Sequence, residues 1–180
     1  TGHFRKSGIY VPQQSFKADL HRLLEVIQFF KPETLLINGD LFHSSLNKEI
    51  TYFNRWRETF SDIEMILIRG NHDRFRTQFY TDLNITVKED YWQKKSFTFI
   101  HDTESPMPVN PDNYIFAGHI HPGIRIHGTG RQSVMIPCFY FGEKSAVLPA
   151  FGNFTGLAAI RPQENDLIFG ITEKEVIRLK

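Results

Sequence analysis

The sequence predicts an α/β protein of two sheets, each with helices on its outer side. Three observations lead there. The first half alternates amphipathic helices with short apolar strands. From Gly123 onward the chain is almost all strand and turn. Finally, four separate apolar runs each deliver Asp, Asn or His at or just past their carboxyl ends, the edge at which α/β sheets bind ligands.

Taken in order, Thr1 to Gln14 is polar and irregular, broken by Gly2, Gly8 and Pro12. Ser15 offers an N-cap for a helix through Phe30. Phe16, Leu20, Leu23, Leu24, Ile27 and Phe30 keep its 3.6-residue period, and Pro32 closes it. A strand from Thr34 runs to Gly39, and a second helix, about Lys48 to Phe60, carries Ile50, Phe53, Trp56 and Phe60 on one face. Met65 to Ile68 is the next strand. Short links between these elements argue for parallel pairing. A helix at residue 15 with no strand before it leaves half of a βαβ unit missing, so residues 1–180 are read as one N-terminally incomplete domain. Further strands are expected at Ile85 to Glu89, Lys95 to Ile100, Tyr114 to Ala117, Gly123 to His127, Ser133 to Phe141, Ala146 to Ala150, Leu157 to Arg161, Leu167 to Ile171 and Val176 to Leu179.

Composition narrows the class. A formal charge of +1 gives no global pull towards nucleic acid or membrane. Cys138 is the single cysteine, which removes any disulfide framework and points to a reducing, cytoplasmic setting. No apolar run is long enough to span a bilayer, and no signal peptide is visible. The 17 phenylalanines fall mostly in strand-like runs, where they read as core.

The four strand ends are Gly39-Asp40, Gly70-Asn71-His72-Asp73, His101, and Gly118-His119-Ile120-His121. Any one of them could be a plain turn, since Asn and Asp readily bond their own backbone. Together they form a mixed oxygen and nitrogen ligand set, which suits Mn(II), Fe or Zn better than calcium or structural zinc. Glycine before a ligand lets the backbone turn sharply. In Gly118-His119-Ile120-His121, an extended segment would put both imidazoles on one side. Asp40 is the natural carboxylate to bridge a metal pair. His21, His43 and His127 read as ordinary surface or hydrogen-bonded histidines.

In this order, these motifs resemble four of the five that mark the calcineurin-like metallophosphoesterase superfamily. His3-Phe4-Arg5-Lys6-Ser7-Gly8-Ile9 and Leu148 to Gly156 further resemble a bacterial subfamily described as ligase-associated DNA-damage-response endonucleases. The resemblance implies a four-layer αββα sandwich with a dinuclear site holding two divalent ions, Mn(II) first, with Fe or Zn as alternatives. It implies that Asp40 bridges the metals, that Asn71, His101 and His119 complete one site, and that His121 serves the other. His72 would act as general acid at the leaving oxygen, oriented by Asp73. The family's first motif, a strand ending Asp-x-His, has no counterpart here, and the first strand of the sandwich is expected to be absent with it. His3, Arg5 and Arg74 are placed near substrate phosphate.

The function implied is hydrolysis of phosphodiesters by metal-activated hydroxide, on DNA and in repair, beside a ligase and a helicase. The alternatives are a small-molecule phosphatase or nucleotidase, and a metal-poor interaction subunit of the same fold.

Overall fold

A computed structural model describes residues 13–42, 48–104, 110, 112–152 and 155–180. The chain divides into two compact units, residues 1–89 with 151–154, and residues 90–150 with 155–180.

The first unit alternates helix and strand: α1 (Gln13–Phe30), β1 (Thr34–Ile37), α2 (Lys48–Thr59), β2 (Glu64–Ile68), α3 (Thr77–Asp82) and β3 (Thr86–Lys88). Its three strands pair in the order β1-β2-β3, all parallel. The central strand is buried along both faces, Met65 and Leu67 on one and Ile66 and Ile68 on the other. This explains its unbroken apolar run, because alternation is expected only where one face meets water. Met65 and Leu67 join Phe42, Ile50, Phe53, Tyr80, Leu83 and Ile85 in a single core, with Phe16 and Leu20 of α1 packed against it. Rings dominate there: Phe42 meets Phe53 edge-on at 5.1 Å, and Phe75 stacks on Phe79 at 4.2 Å.

Two details depart from expectation in this unit. Helix α1 begins at Gln13, so Ser15 lies inside its first turn and is not its cap. Helix α3 was not anticipated. It has only six residues, and its N-cap, Arg76, makes no side-chain capping bond.

The second unit is β-rich: β4 (Tyr91–Lys94), β5 (Phe97–Ile100), β6 (Tyr114–Ala117), β7 (Pro122–His127), β8 (Ser133–Phe141), β9 (Ser145–Val147), β10 (Ala158–Ala159), β11 (Leu167–Ile171) and β12 (Val176–Arg178). They join in the order β10-β7-β8-β9-β6-β5-β4, with β11 pairing both β8 and β12. Strand β8 pairs β7 through Ser133 to Pro137 and pairs β9 and β11 further on, so one long strand links both parts of the sheet. The expected strand at Leu157 to Arg161 shrinks to Ala158–Ala159, both exposed. Parallel β5, β6 and β9 lie at the centre, with Ile100, Ala117 and Ala146 fully buried. Two of these three strands end at the histidine motifs. The whole is a mixed α/β fold.

Candidate metal centre

In the first unit, β1 and β2 are parallel neighbours with Ile37 opposite Leu67, so both strands run out at the same edge of the sheet. The turn after β1 takes an uncommon path. Gly39 has φ 88° and Asp40 φ 57°, the left-handed region that a non-glycine residue enters at a cost of roughly 1–2 kcal/mol. Something must hold Asp40 there, and the turn after β2 supplies it. Asp73 is buried, and its Oδ2 accepts the N–H of Asp40 at 2.7 Å and that of Gly70 at 3.0 Å. Its Oδ1 accepts the N–H of Phe42 and the hydroxyl of Tyr80, each at 3.2 Å. In return Asp40 Oδ1 accepts the N–H of His72 at 3.0 Å. The two turns thus exchange carboxylates.

Gly70 is required by this closeness. A Cβ there would stand 2.2 Å from Asp40 Oδ1 and 2.5 Å from Asp40 N. Asn71 is exposed and His72 half-buried on the same turn. Arg69 braces that turn from outside. Its guanidinium donates to the carbonyls of Asp73 and Phe75, to Thr77 Oγ1, and to both oxygens of Glu89, at 2.6 to 3.2 Å. Arg69 is therefore a structural strut. Arg74, in contrast, is exposed, and among the described residues nothing pairs with its guanidinium.

Burial pushes the Asp73 carboxyl above the usual carboxylate range, against the pull of the Gly70, Phe42 and Asp40 N–H groups. Burial and the Asp73 charge raise the Tyr80 phenol. The Glu89 carboxyl is held low by its hydrogen bonds from Arg69.

In the second unit, His101 follows β5 and is buried, while His119 and His121 follow β6 and are half-buried. Strands β5 and β6 are parallel, and Gly118 N–H donates to the His101 carbonyl at 3.0 Å. His119 Nδ1 lies 3.2 Å from His101 Nε2, with the rings at 74°. The Asp102 carboxylate stands 3.7 Å from the other nitrogen of His119. Its remaining oxygen accepts the Glu104 N–H at 3.0 Å. The segment is not extended, so the condition for both imidazoles to share a side is not met. His119 and His121 have φ 62° and 50°, and Ile120 N–H closes a tight turn onto the Gly118 carbonyl at 2.8 Å.

The spacing of these donors fits a cation. Two ligand nitrogens on one ion at about 2.1 Å are themselves separated by roughly 3 Å, which matches the His101–His119 spacing. His3, Arg5 and His43 lie outside the described residues. His21 is on α1 and exposed, 3.6 Å from Glu25, as expected of a surface histidine. Sequence reasoning missed Tyr80 and Asp102 as neighbours of the motifs. Tyr80 sits seven residues past Asp73 with no local pattern to mark it, whereas Asp102 directly follows a candidate ligand.

The model of the calcineurin-like phosphoesterase family matches residues 15–127, a span that holds every one of these motifs. The chain belongs to that family. Membership makes it a phosphoesterase, a hydrolase of phosphate esters. The crystal structure of the Pseudomonas putida nuclease MPE is similar to this phosphoesterase with a TM-score of 0.75 and 29% identity, covering 91% of this chain and 79% of that one. None of the curated proteins searched gives a match. Among the described residues, no helix is long and apolar enough to cross a membrane.

Proposed function

We propose that this phosphoesterase is a two-metal phosphodiesterase acting on DNA, a nuclease with a role in repair. The observation that carries the reading is the pair of imidazole nitrogens of His101 and His119, 3.2 Å apart at the ends of adjacent parallel strands. Family membership and the nuclease identity of the Pseudomonas protein support it. A ligase and helicase setting, and the four-layer αββα arrangement of one domain lacking its first strand, rest on the sequence resemblance.

In this reading Asp40 would serve both of two divalent ions, Asn71, His101 and His119 would help hold one, and His121 would help hold the other. Manganese is the first expectation for this donor set, with iron or zinc as alternatives. The ions would supply Lewis acidity at phosphorus and bring a water's pKa near neutrality. The chain's own groups do the rest. Water oxygen forms a new bond to phosphorus as the bond to the leaving oxygen breaks, and His72 gives that oxygen its proton. Arg74, exposed on the same turn, is proposed to pair with a flanking phosphate, with His3 and Arg5 sharing that task. Cys138, a buried free thiol, suits a cytoplasmic setting.

Elemental analysis, paired with hydrolysis of bis-p-nitrophenyl phosphate with and without Mn(II), tests this reading. The expected result is close to two ions per chain and, on diphenyl phosphate with its poorer leaving group, turnover reduced by about 10²–10⁴-fold in His72→Ala, the range for general-acid catalysis. Preference for the monoester would make the protein a phosphatase. Absence of both metal and turnover would leave an interaction module.

A further inference from the structure

We infer that Asp73 is a positioning residue for Asp40, acting through the backbone of the 39–42 turn, and that Tyr80 is the outer member of the same clamp. This deepens the two-metal reading and rests on it. The expectation from sequence was different: an aspartate next to His72 would orient that ring.

The geometry points elsewhere. Asp73 has two oxygens and accepts four hydrogen bonds, from the N–H groups of Asp40, Gly70 and Phe42 and from the Tyr80 hydroxyl. A carboxylate offers about four lone-pair sites, so these donors occupy its whole accepting capacity. Two of the four, Asp40 and Phe42, flank the turn that carries the bridging carboxylate. Among the described residues, Arg69 makes no hydrogen bond to the Asp73 carboxylate. Its guanidinium takes the Asp73 carbonyl and the Glu89 carboxylate.

The turn needs such a hold. Residues 39 and 40 both have positive φ, and for Asp40 that conformation is intrinsically unfavourable. A hydrogen bond of 2.7 Å from its own N–H to a buried carboxylate selects it. The Asp40 carboxylate then receives the His72 N–H, which fixes the direction in which it can offer lone pairs. Tyr80 is fully buried, and its hydroxyl orients Oδ1 of Asp73 from the far side. A ligand carboxylate is thereby held by a chain of groups that never touch metal or substrate. Removing such outer partners lowers metal affinity by about 10–100-fold.

The two roles for Asp73 predict different experiments. Mn(II) binding is measured by calorimetry on the full chain for wild type, Asp73→Asn, Tyr80→Phe and His72→Ala. Rates at saturating Mn(II) are compared for bis-p-nitrophenyl phosphate and for diphenyl phosphate, whose poorer leaving group depends more on a general acid. As a clamp on Asp40, Asp73→Asn weakens Mn(II) binding by about 10–100-fold and slows both diesters by the same factor. His72→Ala instead slows the diphenyl ester more and leaves Mn(II) affinity near wild type. Unchanged Mn(II) affinity in Asp73→Asn, or a leaving-group dependence copying His72→Ala, overturns the inference. If thermal melting shows that Asp73→Asn does not fold, Tyr80→Phe decides. It removes one oxygen, and a several-fold weaker Mn(II) affinity with an unchanged ratio of the two rates is expected. Wild-type affinity in that variant overturns the proposal. A wild-type chain that binds no Mn(II) sinks the two-metal reading itself; one that binds and turns over leaves only the clamp in question.

Discussion

The turn after β2 and the turn after β6 both carry motif histidines, yet they are stabilised in opposite ways. Residues 69–73 are tied down on every side. Asp73 accepts four hydrogen bonds, and Arg69 donates to two carbonyls, a hydroxyl and a carboxylate. Residues 118–121 are a tight loop with two histidines in the left-handed region, held by backbone contacts such as Ala158 N–H to the His121 carbonyl and by the His119 ring against His101 and Asp102. The second turn places two candidate ligands in left-handed backbone, whereas residues 69–73 avoid that region and are held chiefly by side chains bonded to backbone groups. A ligand held by hydrogen bonds is in place before metal arrives, whereas strained ligands gain from the ion that fixes them.

The sharpest way to break this contrast is Gly70→Ala. The added carbon would meet Asp40 Oδ1 at 2.2 Å and backbone nitrogen at 2.5 Å, so the 39–42 turn itself must move. Overpacking of this kind destabilises by about 1–3 kcal/mol. Urea unfolding should show that loss, and Mn(II) titration should show affinity falling at least tenfold, as for loss of a ligand's support. A variant with wild-type stability and affinity would mean that the first turn is not rigid.

The second turn should respond in the reverse sense. At φ 50° glycine is tolerated and alanine is not, so His121→Gly should be more stable than His121→Ala by about 1 kcal/mol. Both variants lose the imidazole and should bind Mn(II) equally poorly. Thermal melting in chelator separates the two effects. Equal melting temperatures would show that residue 121 relaxes to negative φ when freed of its side chain.

How much of this was visible in the sequence differs along the chain for physical reasons. The strand ends at Asp40, Gly70, His101 and Gly118 were readable because short apolar runs stop abruptly at glycine or a polar ligand. The mixed α/β class was readable from the helix–strand alternation of the first half and the strand-rich second half, while the four-layer arrangement remains a proposal. Strand β4 escaped notice because its hairpin turns through Lys95 and Ser96. Lys95 takes the left-handed position, at φ 56°, that Asn or Gly usually announces. Helix α3 offers too few turns for a period to show. The left-handed turn at residues 119–121 was not readable because positive φ at histidine has no sequence signal. The partners of Asp73 lie as far as 33 residues away, and no local pattern records them.

A smaller effect tests the outer brace of the first turn. Arg69 holds Glu89 below its ordinary pKa. The sign follows: the pair stabilises the fold above the ordinary glutamate range and loses that contribution as pH falls through the lowered value. Glu89 is 58% exposed, so screening limits the pair to about 0.2–1 kcal/mol. Glu89→Gln should lower the melting temperature at neutral pH by a few degrees at most, and the difference from wild type should vanish in acid and shrink in high salt. A gap that persists at low pH would assign the effect to packing.

The smallest expected change tests whether the strain of the second turn spreads into its sheet. Cys138 lies on β8, fully buried, and burial pushes its thiol up to about 11. Only the thiolate reacts with alkylating reagents. At pH 8 the native protein should therefore stay unlabelled, with or without chelator, and should label rapidly in denaturant. If removing metal with chelator exposed Cys138 to iodoacetamide, the strain at His119 and His121 would have to be relieved by opening the strands behind them. Continued protection would confine it to the turn, since the β8–β11 pairing at Cys138 and Gly170 must open before reagent can reach the sulfur.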